Sequence, residues 1–125
     1  VTDPTFGKHK KLRKTDEFSS VFRFRCGRRG LLLDVNAGPN GLGIARLGLI
    51  VPKKIISTAV GRNRVKRLLR EWFRHNQDTL AGMDIIARLK GKAGANTLDE
   101  AVLKEDFHAG LATCRACLQN RLPAP

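Results

Sequence analysis

The chain has 125 residues, 42% of them hydrophobic, and its 24 Lys and Arg against 11 Asp and Glu leave a formal net charge of +13 at pH 7. That apolar content supports one small core and excludes a wholly disordered basic tail. No apolar run approaches the ~18 residues of a membrane span, and so large a positive charge is best neutralised by a polyanion.

Residues 1–14 carry Lys8, His9, Lys10, Lys11, Arg13 and Lys14 and read as a mobile basic arm. They hold no apolar stretch of the kind that directs secretion, so the sequence predicts a cytoplasmic protein. Thr15 is placed to cap a short helix, with Asp16 and Glu17 in its first turn and an end near Phe22. Phe18, Val21 and Phe22 share one face of it, and spacing alone makes them core residues. Residues 27–30 read as a basic turn, 31–35 as a short apolar strand, 38–41 as a loop and 46–51 as a second apolar strand, the two strands pairing as an antiparallel hairpin.

Ser57 or Thr58 then caps a basic helix. Val65, Leu68, Leu69, Trp72 and Phe73 form its apolar stripe. Asn63, Lys66, Arg67, Arg70 and Arg74 fall on the opposite side, while Arg62 and Arg64 flank the first turn. Like charges at this spacing repel, and Glu71 is the only acid in the segment that relieves them. A helix built only for solubility would mix both signs, so this one reads as a socket for an anionic partner, RNA.

Gly82 precedes a strand over residues 83–89, and 90–94 form a loop with two more cations. Thr97 and Glu100 have the spacing of a capping box, which predicts a final helix carrying Leu103, Phe107, Leu111, Cys114 and Leu118 on one face, with a bend at Gly110. Cys26, Cys114 and Cys117 are odd in number, which argues against a disulfide framework. Cys114 and Cys117 form a lone CxxC late in a helical pattern, without further ligands for zinc, and read as small thiols on or beside the packed face. His9, His75 and His108 are dispersed, and neither a Ser-His-Asp set nor a carboxylate pair stands out.

The expected architecture is a single α+β domain over residues 15–121 in the order αβββαβα, its first strand short, preceded by the arm and followed by a tail over 122–125.

Arg46-Leu47-Gly48-Leu49-Ile50-Val51-Pro52-Lys53-Lys54, followed by Ala59-Val60-Gly61-Arg62-Asn63-Arg64-Val65-Lys66-Arg67-Leu68-Leu69-Arg70-Glu71, closely resembles the signature of the bacterial ribonuclease P protein subunit. Leu12-Arg13-Lys14 with Asp16-Glu17-Phe18 and Val21-Phe22 resembles the amino-terminal segment of that family, and residues 83–87 resemble its last strand. The resemblance covers roughly residues 8 to 118. It implies an α/β sandwich on a small, mainly antiparallel sheet with a left-handed βαβ crossover through the basic helix, against the usual hand.

The resemblance also implies a division of labour. A large RNA performs Mg²⁺-dependent hydrolysis at the 5′ end of the mature tRNA and holds most of that metal, while the protein assists and is not itself catalytic. Carried onto this chain, Lys53, Lys54, Arg62, Asn63, Arg64, Lys66, Arg67, Arg70 and Arg74 would bind the catalytic RNA, since Arg forks match phosphate oxygens. Phe18, Phe22 and Leu33, with Arg13 and Lys14, would receive the single-stranded 5′ leader of precursor tRNA. Two departures stand out: Leu31–Leu33 and Asp34 replace an aromatic that many relatives carry on the first hairpin strand, and Gly61 replaces a larger residue before Arg62, loosening that turn. The rival readings are a ribosomal-protein-like RNA binder using the same helix, a major-groove DNA binder and an autonomous nuclease. The exposed aromatic pair disfavours the first, the lack of a helix-turn-helix partner the second, and the lack of a carboxylate cluster for Mg²⁺ the third.

Overall fold

A computed structural model of the chain describes residues 15–91 and 99–121. The basic arm with Arg13 and Lys14, the side-chain roles of Thr15, Asp16 and Glu17, the capping box at Thr97 and the 122–125 tail lie outside the described residues. The elements are α1 (Thr15–Phe24), β1 (Cys26–Arg29), β2 (Leu33–Pro39), β3 (Arg46–Ile50), α2 (Ala59–Asn76), β4 (Met83–Leu89) and α3 (Glu100–Arg121), with a 3-10 turn at Gln77–Leu80 after α2.

The strands form one sheet in the order β1-β2-β4-β3. β1 pairs with β2 and β2 with β4 antiparallel, and β3 pairs with β4 parallel, joined to it by the α2 crossover. Two expectations change here. Residues 27–30 are not a turn: the chain extends through Cys26–Arg29, and the tight connection follows at Gly30, whose amide donates to the Leu33 carbonyl. Nor do β2 and β3 form a hairpin, because β4 lies between them. β4 is buried on both faces except at Arg88, as a central strand must be, whereas β3 tolerates the edge.

Period-two alternation divides the sheet into two sides. Leu33, Val35 and Ala37 of β2, Leu47 of β3, and Met83, Ile85, Ala87 and Leu89 of β4 face α2 and α3, where they meet Val65, Leu69, Phe73, Leu103, Phe107, Leu111, Cys114 and Leu118 in the main core. Trp72 of α2 and Phe107 of α3 pack with ring centroids 6.3 Å apart. α1 covers part of the other side, where Val21 and Ile86 are buried with Phe18 and Ile50 half-buried against them.

Gly110 does not interrupt α3, which runs unbroken to Arg121. A Cβ there would stand 2.5 Å from Cγ2 and 2.6 Å from Cβ of Val35, so the glycine lets helix and strand approach closely. α3 starts at Glu100, with Asp99 Oδ1 accepting from the amides of Ala101 at 3.0 Å and Val102 at 3.4 Å. The close seat of α3 also joins Cys26 of β1 to Cys117 as a disulfide, their Cα atoms 5.8 Å apart. This corrects the reading of three separate thiols: the odd count leaves Cys114 free and buried, and burial pushes its thiol up to about 12.

Two buried acids are fully engaged. Asp84 takes a fork from its cross-strand partner Arg46, Nε to Oδ1 at 2.7 Å and the terminal nitrogen to Oδ2 at 2.7 Å, and accepts from Asn40 Nδ2 at 2.9 Å. Asp106 of α3 accepts from the Leu32 amide at 2.6 Å and holds the β1–β2 connection.

Candidate nucleic-acid interface

The entry to α2 is built by its sequence. Thr58 is the N-cap, its hydroxyl oxygen accepting from the Gly61 amide at 3.1 Å, and no acid occupies the first turn to counter the cations. Gly61 lies close beneath the preceding loop: a Cβ there would meet Ile56 Cγ2 at 2.6 Å and Thr58 Oγ1 at 2.8 Å, so a larger residue requires those side chains to shift. Val65, Leu69 and Phe73 are buried and Leu68 and Trp72 half-buried, so the cationic row faces outward.

The cations of this row divide by partner. Arg64 pairs with Glu100 at the start of α3, both side chains exposed. Arg74 forks onto Glu71, and His75 Nε2 lies 3.1 Å from the same carboxylate. Hydrogen bonding from Arg74 holds the Glu71 carboxyl below its usual range, and the same bond raises Arg74. Arg62 NH1 donates to the carbonyls of Ile56 at 3.1 Å and Ser57 at 3.0 Å. Lys53, Lys54, Lys66, Arg67 and Arg70 have no acid partner among the described residues, and Asn63 is exposed. Lys66, Arg67 and Arg70 lie within two turns, and Lys53 and Lys54 sit on the turn closed by the Ile55 and Ile56 amides donating to the Pro52 carbonyl. Several uncompensated cations on one helix and the loop before it suit a polyanion better than any single small anion.

The second surface lies on the α1 side of the sheet. Register places Arg29, Asp34, Arg88 and Ile50 in one cross-strand row, with Gly27, Asn36, Ile86 and Gly48 in the next. α1 packs on this second row, with Val21 and Phe18 against Ile86, and on the row beyond, where a Cβ at Gly38 would touch Phe24 Cβ and Val21 Cα at 3.4 Å. Arg29 and Arg88 remain exposed, Asn36 is half-buried, and Asp34 is ion-paired with Lys90 at 2.7 Å. Phe22 on α1 is 42% exposed, while Phe18 is half-buried against Val21 and Ile86. The spacing reading of Phe18, Val21 and Phe22 as three core residues therefore holds for Val21, in part for Phe18, and not for Phe22.

Leu33 is a correction. It is fully buried on the opposite side of the sheet, against α3, and reaches no ligand on the α1 side. Its neighbours Asp34 and Asn36 occupy the face assigned to it, because adjacent strand residues point to opposite sides. Arg29, Asn36 and Arg88 went unassigned in the sequence; the alternation of Leu33, Val35 and Ala37 with Asp34 and Asn36 is the signal that finds Asn36.

Among the described residues no three of His, Cys, Asp and Glu gather to hold a metal ion, and the buried acids Asp84 and Asp106 are already committed to Arg46 and the Leu32 amide. No helix among them is long and apolar enough to cross a membrane.

A compact α+β domain with one outward cationic helix and an exposed aromatic over a basic sheet face belongs to the class of RNA-binding proteins. The family model for ribonuclease P matches residues 6–115, and the chain belongs to that family. It is 47% identical to the ribonuclease P protein component of Chromobacterium violaceum over 112 residues, 89% of this chain and 93% of that one. Among solved structures, the ribonuclease P protein of Thermotoga maritima superposes with a TM-score of 0.58 at 28% identity, over 91% of this chain and 98% of that one. The Staphylococcus aureus protein shares the fold, with a TM-score of 0.66 at 23% identity over 89% and 93% of the two chains. The role of the family is tRNA 5′ processing, as part of a metal-dependent ribonucleoprotein endoribonuclease.

Proposed function

We propose that this chain works in the cytoplasm as the protein subunit of a holoenzyme whose RNA carries the chemistry, with two separate surfaces for two RNAs. The outward side of α2, with Asn63, Lys66, Arg67 and Arg70, and the Lys53–Lys54 turn dock the catalytic RNA. Arg64 and Arg74 join them by exchanging Glu100 and Glu71 for phosphate. The α1 side of the sheet receives the single-stranded 5′ leader of precursor tRNA, with Phe22 and Phe18 stacking on bases, Arg29 and Arg88 along the backbone, and Arg13 and Lys14 of the amino-terminal arm extending the track. Mg²⁺ is held mainly by the RNA, and the positive field of the protein offsets phosphate repulsion between catalyst and substrate.

The observation that carries this reading is the set of uncompensated cations on α2, on a chain that belongs to the ribonuclease P family. Reconstitution with catalytic RNA tests it. The holoenzyme should remove the leader at a lower Mg²⁺ concentration than the RNA alone, and RNA-free protein should cleave nothing. Phe22→Ala should weaken precursor tRNA binding by roughly 1–3 kcal/mol and leave mature tRNA binding unchanged. Cleavage by RNA-free protein, or equal losses for precursor and mature tRNA, would contradict it.

A further inference from the structure

Arg62 opens the Arg62-Asn63-Arg64 motif, yet its position on the helix differs from that of its neighbours. It precedes Val65 by three residues and Leu69 by seven, which is the spacing of one helical face, and both of those residues are buried. The side chain is therefore directed toward the protein's own loop. There NH1 donates to two successive carbonyls, Ile56 at 3.1 Å and Ser57 at 3.0 Å. One guanidinium nitrogen meets both acceptors, its two N–H bonds held in the plane of the group at the end of the long Arg side chain, a reach and fixed direction that a Lys ammonium on its shorter, flexible stem does not reproduce.

Those carbonyls belong to the segment that carries Lys53 and Lys54. The Pro52 carbonyl accepts from the amides of Ile55 at 3.1 Å and Ile56 at 3.2 Å, closing a turn that leaves both lysines exposed. Ile55 and Ile56 pack against the main core, and Gly61 is small enough for Ile56 to lie over the start of α2. Arg62 is the polar half of this attachment and Gly61 the steric half. Together they fix where two cations outside α2 stand relative to Lys66, Arg67 and Arg70 on it.

We infer that Arg62 is a positioning residue, which acts on RNA by clamping the Lys53–Lys54 turn to α2 so that both sets of cations meet one RNA surface. This rests on α2 and that turn being the docking site for the catalytic RNA. Arg62 thus differs in kind from Arg67, which faces outward, and an Arg at this position is not interchangeable with Lys.

The test measures the affinity of the full-length protein for its catalytic RNA and amide hydrogen exchange of the free protein. Arg62→Lys keeps the charge but not the planar nitrogen that meets both carbonyls. It should weaken RNA binding about tenfold, the equivalent of one charge-assisted hydrogen bond, and should speed exchange at Ile55 and Ile56 while Val65 and Leu69 stay protected. In a Lys53→Ala/Lys54→Ala background, which itself binds more weakly, Arg62→Lys should cost nothing further, whereas Arg67→Ala should add its full loss in either background. Undiminished affinity in Arg62→Lys, an additive loss in the double-lysine background, or unchanged exchange at Ile55 and Ile56 would each overturn the inference. If Arg67→Ala also binds RNA normally, the docking site itself is elsewhere, and the exchange data alone then report on the clamp.

Discussion

Gly110→Ala separates what helix propensity predicts from what packing demands. In an isolated helix the change would stabilise by about 1 kcal/mol. In this fold the new methyl would stand 2.5 Å and 2.6 Å from Cγ2 and Cβ of Val35, about 1 Å inside a comfortable carbon–carbon contact. Val35 has no room to yield: it is fully buried on β2, its Cβ is fixed by the backbone, and its branched χ1 is stiff. α3 must lift instead. Overpacking of this kind costs about 1–3 kcal/mol, and contact with an immobile Cβ belongs at the upper end, so the net loss should be about 1–2 kcal/mol. For a domain of this length that lowers Tm by roughly 3–10 °C, measurable by thermal or urea unfolding of the free protein. In a Val35→Gly background, which removes Cβ as well as the methyls, the clash disappears and Gly110→Ala should become neutral or stabilising. A raised Tm for Gly110→Ala in the native background would show that α3 does not sit on β2 as described.

Two further perturbations probe the frame behind the interface. Asp84→Ala removes the fork from half-buried Arg46 and one bond from Asn40 and should cost about 2–3 kcal/mol in urea unfolding; a loss below about 1 kcal/mol would mean the fork onto Asp84 contributes little. The Cys26–Cys117 bond spans 91 residues, so reduction should destabilise by about 4–5 kcal/mol on chain-entropy grounds. After reduction at pH 8, Cys117 should alkylate while Cys114 stays protected, because burial keeps it a thiol; fast modification of Cys114 in folded protein would contradict its placement.

Local chemistry made the helices readable. The threonine before α2 and the intervals from Leu103 to Leu118 carry their own period and cap, and the structure shows them as read. Strand partners do not announce themselves in the same way. β2 and β3 look like hairpin neighbours because they are close in sequence, but β4, some fifty residues after β2, is the more apolar strand and takes the centre. Cys26-Gly27-Arg28-Arg29 resembles a turn because an edge strand needs only one buried residue, here Cys26. The disulfide depends on how closely α3 seats, which rests on a contact between Gly110 and Val35 that no spacing reveals. At the interface the cationic row was legible as a whole, while its division into paired and unpaired members was not. Glu100 and the Ile56 carbonyl are distant from the row in sequence or are backbone groups, and only the fold brings them to Arg64 and Arg62.

The central claim is that outward, uncompensated cations on α2 dock the catalytic RNA, and the salt dependence of that binding tests it most directly. Log Kd against log salt concentration should have a slope that falls by somewhat under about 1 unit for Arg67→Ala and by roughly twice that for Arg67→Ala/Arg70→Ala, taking duplex DNA as the guide. Arg115→Ala on α3, remote from this surface in sequence and helix, should leave the slope unchanged. Equal reductions at Arg67 and Arg115 would show that binding is diffuse attraction to a +13 protein and that α2 is not the docking site.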